Sequence, residues 1–293
     1  MRSVLITGAT GFFGQGMVRK LLEGDTQRIC IFSRDEAKQA AMRASLPDPD
    51  QRLHWFVGDV RDLDRLYRAM NGIDLVIHAA ALKRVEVGEY DPQEMVKTNV
   101  LGTMNVINAA LDAPFGFGWQ HRRVIALSSD KACQPLNAYG ASKLMMEKLV
   151  LGANNARGAN GPIFAVTRYG NVAGSTGSVI PAWRRKLSEG GVLTVTDVDA
   201  TRFWMTMDQA IDLVLHTADQ MQGGELAIPD LPAYRLGDLL EAVKPIMGLL
   251  MRVKETGLTP GEKLHERMRE DGPTSAEVRR LTVEELRERL KSV

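Results

Sequence analysis

Short runs of β-branched and apolar residues alternate along the chain with longer stretches in which apolar positions recur every three or four residues. The runs are Val4-Leu5-Ile6, Ile29-Cys30-Ile31-Phe32, Leu53 to Val57, Leu75-Val76-Ile77, Val124 to Leu127 and Ile163 to Val166. Continuous runs of this kind read as buried strands, and their alternation with helical patterns predicts a parallel sheet covered on both faces. Val96, Val100, Thr103, Ile107 and Ala110 recur at spacings of four and three, a helical stripe expected to pack on that sheet. Residues 47–51, 112–122 and 152–162 carry the Gly, Pro, Asn and polar content of loops.

After about residue 172 the alternation weakens, with glycines in the stretches 174–177, 190–191 and 223–224 breaking it. The expected architecture is α/β: a Rossmann-type doubly wound parallel sheet over residues 1–172, followed by a smaller C-terminal substrate lobe over 173–293. Some segments of that lobe are expected to return to the Rossmann core. Thr282-Val283-Glu284-Glu285 is a capping-box signature, and Leu286 and Leu290 follow at helical spacing, predicting a terminal helix.

The chain has 293 residues, and 37 Lys+Arg against 36 Asp+Glu leave a net charge of +1. That balance argues against nucleic acid as the main partner, because binding phosphates takes a dense basic face. Arg184-Arg185-Lys186 reads as a solvated helix face. Cys30 and Cys133 cannot form a disulfide framework, so a reducing, cytoplasmic setting is expected, with Cys30 in the core. No apolar stretch approaches the roughly 20 residues of a membrane span. The scattered histidines His54, His78, His121, His216 and His265 form no metal-ligand cluster.

Chemistry first shows at the end of the first strand, where Gly8, Thr10, Gly11, Phe12, Phe13 and Gly14 lead into a helical pattern from Gln15 to Leu22. Glycines three apart at a strand-to-helix turn permit a tight bend, a close approach of backbone to a pyrophosphate, and close packing of helix on strand. A dinucleotide is the expected cofactor. At the end of the second strand, Ser33 and Arg34, with Lys38 one turn on, suit a ribose 2′-phosphate and point to NADP, although Asp35 and Glu36 follow at once. Asp59 and Val60 after the third strand are expected to flank the adenine. Ala79, Ala80 and Ala81 after the fourth are expected along the pyrophosphate and nicotinamide ribose.

Of five tyrosines, Tyr139 has a lysine four residues later, Lys143, which places both on one helix face. A nearby ammonium favours phenolate and makes a general base for a hydroxyl. Asp130 and Lys131 stand just before; they read either as a solvated loop pair or, at an irregular strand end, as two groups of one site. Ser129 is placed to hydrogen-bond a substrate hydroxyl.

The glycine motif, Asn99 and Tyr139-x-x-x-Lys143 resemble an extended short-chain dehydrogenase/reductase. More closely, Ala79-Ala-Ala-Leu-Lys83, Ser129-Asp-Lys-Ala132, Arg168-Tyr-Gly-Asn-Val172, Thr201-Arg-Phe-Trp204 and Pro260-Gly-Glu-Lys-Leu-His-Glu266 are similar to inverting UDP-N-acetylglucosamine 4,6-dehydratases of pseudaminic acid and capsule polysaccharide synthesis. The similarity runs from Met1 to roughly Glu266. It implies that Tyr139 takes the proton of the sugar 4-hydroxyl, that Lys131, with its proton affinity lowered, is the C5 base, and that Asp130 is the acid at the C6 hydroxyl. It also implies a cofactor contact from Asn99, a cofactor or diphosphate contact from Lys83, and UDP-sugar contacts from Asn171, Arg202 and Glu262, in a homo-oligomer. The chain departs from the pattern at Ser129, where Thr is usual, at Arg84, where His is usual, and at Thr259, where Arg is common. The alternatives are a C4 epimerase, a dehydratase that retains C5, or a dinucleotide-binding regulatory protein without chemistry.

Overall fold

The computed structural model describes residues 2–115, 121–175, 178–189, 191–247 and 252–291. Six strands appear where the apolar runs predict them: β1 Ser3–Thr7, β2 Arg28–Ser33, β3 Leu53–Val57, β4 Leu75–His78, β5 Arg123–Ser129 and β6 Ile163–Tyr169. All pair in parallel in the order β3-β2-β1-β4-β5-β6, and the strand Leu226–Ala227 adds to β6 as a seventh.

Side chains alternate between two apolar layers, which is why the runs carry no polar face. Val4, Ile6, Ile29, Ile31, Ile125 and Ala165 face one layer with Met17, Val18 and Leu21 of the helix Phe12–Glu23. Leu5, Cys30, Phe32, Val124, Ala126 and Phe164 face the other, with Leu66, Val106, Met146 and Val150. The helix Met207–Gln220 supplies Ala210, Ile211, Val214 and Ala218 to the first layer, so residues from the C-terminal part of the chain complete the main sheet. Elsewhere, Asn171–Val172, Thr201–Met205 and Ala233–Arg235 form a three-stranded sheet, and a separate apolar cluster around Trp183, Trp204 and Leu239 supports it. Of the glycines expected to break the pattern, Gly177 and Gly190 lie outside the described residues, as do 116–120 of the expected loop 112–122.

The stripe from Val96 to Ala110 is only partly as predicted. Thr103, Ile107 and Ala110 are buried, but Val96 is exposed. Residues Val96–Leu101 form a π-helical turn between the helices Pro92–Met95 and Gly102–Asp112. The wider turn breaks the 3.6-residue phase, so Met95, Thr98 and Asn99 take the inward positions. The terminal helix Val283–Leu290 has both capping-box hydrogen bonds, between Thr282 and Glu285, and buries Leu286 and Leu290. Among the described residues, no helix is long and apolar enough to cross a membrane, and no cluster of His, Cys, Asp and Glu is arranged to hold a metal ion.

Candidate active site

Ligands of doubly wound sheets bind at the carboxyl ends of the strands, where the strand order reverses. That point lies between β1 and β4, and a cavity of about 890 Å³ opens there. Its floor is the glycine turn. Gly8 has φ +69°, and a Cβ on it would lie 2.8 Å from the Ala80 backbone; one on Gly14 would lie 2.5 Å from Ala9 Cα. Both positions therefore exclude side chains, one for the bend against Ala80 and one for the helix against its strand. Gly11 caps the helix Phe12–Glu23 without a side-chain hydrogen bond, and Gly11, Phe12 and Phe13 line the cavity. A floor of bare backbone, a helix N-terminus and the small wall of Ala79, Ala80 and Ala81 fit a dinucleotide pyrophosphate.

Ser33, Arg34 and Lys38 also line the cavity. The Ser33 hydroxyl accepts from Gln39 Nε2 at 3.0 Å. Asp35, the acidic residue that follows, is the N-cap of the helix Glu36–Ser45, accepting the Lys38 backbone N–H at 2.9 Å. Val60 lines the cavity, but Asp59 does not: its carboxylate is bound by Arg61 at 2.8 Å and lies 3.7 Å from Arg34. Asn99 does not line the cavity either. It is buried, donates to Leu82 O and accepts from Leu82 N, both at 2.8 Å, and donates to Ser142 Oγ at 2.9 Å. It braces the wall after β4 from behind, held inward by the π-helical turn.

At the other wall, the helix Ala138–Gly152 presents Tyr139 and Lys143 to the cavity. Asn137 caps it, accepting from Gly140 N at 2.7 Å, and fixes where the catalytic face begins. Lys143 Nζ donates to Leu127 O at 2.7 Å. Burial lowers the Lys143 pKa to about 8, with the Glu147 carboxylate opposing. Tyr139 is not the acidified phenol expected: burial raises its pKa, and the charge of Lys131 and a hydrogen bond with Ser129 oppose the rise without cancelling it. The neighbouring cation that counts is Lys131, because the Lys143 ammonium is turned to a carbonyl. His78, beneath the site, bonds Thr7 Oγ1 at 2.8 Å and Thr103 Oγ1 at 3.0 Å; burial, then the charge of Lys143, depress its pKa to about 3, and it stays neutral.

Asp130 and Lys131 lie in a 3₁₀ turn, Asp130–Ala132, that ends β5. The turn gives Lys131 to the cavity and folds Asp130 away: Asp130 is fully buried, with Oδ1 accepting from Ser129 Oγ at 2.9 Å and from Lys131 Nζ at 3.3 Å. Asp130 does not itself line the cavity, and its Oδ2 is buried without a hydrogen-bond partner among the described residues. The expected lowering at Lys131 is also reversed. Burial alone pushes its pKa down, but the carboxylates of Asp130 and Glu266 outweigh it and raise the pKa above the ordinary lysine value.

Lys83, Asn171, Arg202 and Glu262 all reach the cavity. Arg202 donates through one nitrogen, Nη1, to Thr201 O at 2.8 Å and Leu264 O at 3.1 Å. Asn171 lies beside the buried Tyr234 and opposes the rise that burial gives the Tyr234 pKa. Glu262 accepts the N–H of Thr259 at 3.0 Å. Arg185 lines the cavity too, from the helix Val179–Ser188, so the basic triplet is not wholly a solvated face.

The chain matches, over residues 4–284, the model of the family described as polysaccharide biosynthesis protein. It belongs to that family. A UDP-N-acetylglucosamine 4,6-dehydratase (inverting) of Campylobacter jejuni is 45% identical over 269 residues, 91% of this chain and 77% of that protein. A UDP-glucose 4-epimerase of Rickettsia canadensis is 39% identical, over 90% of this chain and 76% of its own. Among solved structures, Pen from Bacillus thuringiensis superposes with a TM-score of 0.92 at 33% identity, covering 100% of this chain and 98% of that one. DesIV, a dTDP-glucose 4,6-dehydratase from Streptomyces venezuelae, shares the fold at a TM-score of 0.78 and 24% identity, over 89% and 86% of the two chains.

The segment Gly261 to Glu266 supplies the site residue that sequence reasoning left unassigned. Glu266 is buried at the cavity wall, with Oε1 at 3.1 Å from Lys131 Nζ. Tyr169, at the end of β6, is another cavity residue missed. The same segment is tied to the catalytic loop by Asn137 Nδ2 to Gly261 O at 2.8 Å and Lys263 Nζ to Cys133 O at 2.5 Å.

Proposed function

We propose that the protein catalyses the NADP-dependent 4,6-dehydration of UDP-N-acetylglucosamine with inversion at C5, giving a UDP-4-keto-6-deoxy-hexosamine. The observation that carries this reading is that Tyr139, Ser129 and Lys131 share one wall of a cavity that also holds the glycine turn, with Ser129 Oγ and Lys131 Nζ both bound to Asp130 Oδ1. A 4-epimerase needs a base for the 4-hydroxyl and nothing at C5. A lysine held at the strand end between two carboxylates is superfluous there, but it lies where a second proton transfer is needed.

A bound nicotinamide dinucleotide supplies the hydride acceptor for C4 and the donor for C6. Tyr139, which shares the cavity wall with Ser129, receives the 4-hydroxyl proton. Lys131 serves the C5 proton, which the neighbouring C4 ketone acidifies. Asp130 holds Ser129 and Lys131 in place from below. Inversion follows when the proton returns to C5 from the opposite face. Arg185, Arg202 and Lys83 are the cations available to the nucleotide diphosphate, and Arg34 and Lys38 those for a 2′-phosphate. The exposed Met104 and Met145 on two neighbouring helices support self-association of a cytoplasmic homo-oligomer.

The second reading, a 4-epimerase, has the support of the Rickettsia relatives. Incubation of UDP-N-acetylglucosamine with the protein and NADP⁺ separates the two. Mass spectrometry of a dehydratase product shows the loss of one water, and an epimerase product has the substrate's mass. NMR of the product then gives the configuration at C5. Recovery of an isomer of unchanged mass would overturn the proposal.

A further inference from the structure

Asp130 is fully buried, yet three residues around its carboxylate line the cavity: Ser129, Lys131 and Gly170. Ser129 Oγ and Lys131 Nζ both bind Oδ1, at 2.9 and 3.3 Å. Oδ2 has no hydrogen-bond partner among the described residues. Beside it stands Gly170, where a Cβ would lie 3.6 Å from Oδ2. A buried carboxylate oxygen without a donor is costly, so a hydroxyl of a bound ligand that reaches it is favoured.

Gly170 follows β6, and its backbone does not take the positive φ seen at Gly8. Space, not conformation, accounts for the missing side chain. A Cβ at this position would stand 2.7 Å from Phe203 Cβ, and Phe203 is a core residue of the strand Thr201–Met205. Packing therefore makes even alanine tight. The contact with Oδ2 is of another kind: a methyl group there would touch the Asp130 oxygen that lacks a donor, and would take the place of one.

Dehydration expels the C6 hydroxyl as water, and that leaving group needs a proton as its bond to carbon breaks. Resting on the dehydratase reading above, with Asp130 as its acid, we propose that Gly170 is a specificity-determining position: its bare Cα admits the sugar 6-hydroxyl to Asp130 Oδ2, and a side chain there shuts the hydroxyl out. Oxidation at C4, which Tyr139 serves, does not need that opening.

The elimination balances across the turn. Asp130 enters it as a carboxylic acid and Lys131 as an amine. Lys131 takes the C5 proton, the C–H electron pair becomes the C5=C6 double bond, C6–O breaks, and the Asp130 proton completes a water molecule. The pair ends as ammonium and carboxylate, and one proton crossing their 3.3 Å contact readies it again.

Gly170→Ala is compared with the wild type on UDP-N-acetylglucosamine and on its 6-deoxy-6-fluoro analogue, whose fluoride, a weak base, leaves without a proton. Water loss, followed by mass spectrometry, is expected to fall about 100-fold, the scale of a general-acid effect, while fluoride release, followed by ¹⁹F NMR, stays within about three-fold of the wild type. A displaced Phe203 alone slows both substrates alike, and equal losses overturn the proposal. In an Asp130→Asn background, where no acid remains to be reached, adding Gly170→Ala should change the rate little; a second full loss also overturns it.

If Gly170→Ala does not fold, the unaltered position is read directly. In the Tyr139→Phe protein, where turnover is slowed, ¹³C NMR of labelled aspartate compares bound UDP-N-acetylglucosamine with its 6-deoxy analogue, Asp130 being assigned through Asp130→Asn. The Asp130 carboxyl signal should differ between the two ligands, and identical signals overturn the proposal. If the wild type leaves UDP-N-acetylglucosamine unaltered, the dehydratase reading fails, and the NMR comparison still decides whether the 6-hydroxyl reaches Asp130.

Discussion

Lys143 Nζ gives its hydrogen bond to the backbone carbonyl of Leu127, at 2.7 Å, not to a carboxylate. A carbonyl offsets only part of the cost of burying an ammonium, so the folded pKa falls to about 8 from 10.5. Between those values the unfolded chain holds a proton that the folded one has released, and stability rises with pH across that window. Below about 8 both states are charged and the destabilisation is complete. Lys143→Met is expected to be more stable than the wild type near neutral pH, with the gap narrowing towards alkaline pH. Urea melts at a series of pH values check this; a constant gap counts against it.

The cap made by Asp35 bears on the choice of dinucleotide. A carboxylate engaged with the Lys38 N–H is poorly free to grip a ribose 2′-hydroxyl, while Arg34 stands half-exposed beside it. Arg34→Ala should raise KM for NADP about 10-fold or more, the worth of a charge-assisted hydrogen bond, and leave KM for NAD nearly unchanged. Equal changes for both cofactors would remove Arg34 from 2′-phosphate recognition.

Tyr139→Phe deletes the phenolic O–H while keeping the ring that fills the wall. Turnover is expected to fall by about 100- to 10,000-fold, with NADP affinity held within a few-fold. Fluorescence titration of NADPH and the mass-spectrometric assay measure the two quantities separately. Turnover near the wild-type level would exclude Tyr139 as the base.

Arg122 is a structural counterpart. Its guanidinium is buried and donates to the carbonyls of Ile73, Ala110, Ala113, Met70 and Pro114, closing the ends of two helices over the sheet. Burial pulls its pKa down to about 10, against the charge of Asp74. Arg122→Met leaves those carbonyls short of donors, and should cost about 3 kcal/mol or more of stability. Calorimetric unfolding tests this, and a loss under about 1 kcal/mol would refute it.

The six strands were legible because a sheet buried on both faces leaves unbroken apolar runs, and the glycine turn because its backbone excludes side chains at Gly8 and Gly14. Spacing of four brought Tyr139 and Lys143 to one face. What sequence could not give depends on phase or on distance. The π-helical turn shifts the inward face from Val96 to Met95 and Asn99, and nothing in the apolar stripe marks the extra residue. The Lys131–Glu266 pair joins positions far apart in the chain, so no local period announces it, and it reverses the lowered proton affinity that the resemblance implied for Lys131. Arg122 sits at the end of a segment with loop composition, and its burial follows from the helix ends that happen to meet there.

The guanidinium of Arg168 has one further consequence. It holds Glu147, one helical turn beyond Lys143, through Nε at 2.8 Å, and it reaches the carbonyl of Met268 at 2.7 Å. The helix that carries Tyr139 and Lys143 is thereby pinned to the stretch around Met268, so a change at Arg168 would loosen the cavity wall and that stretch together.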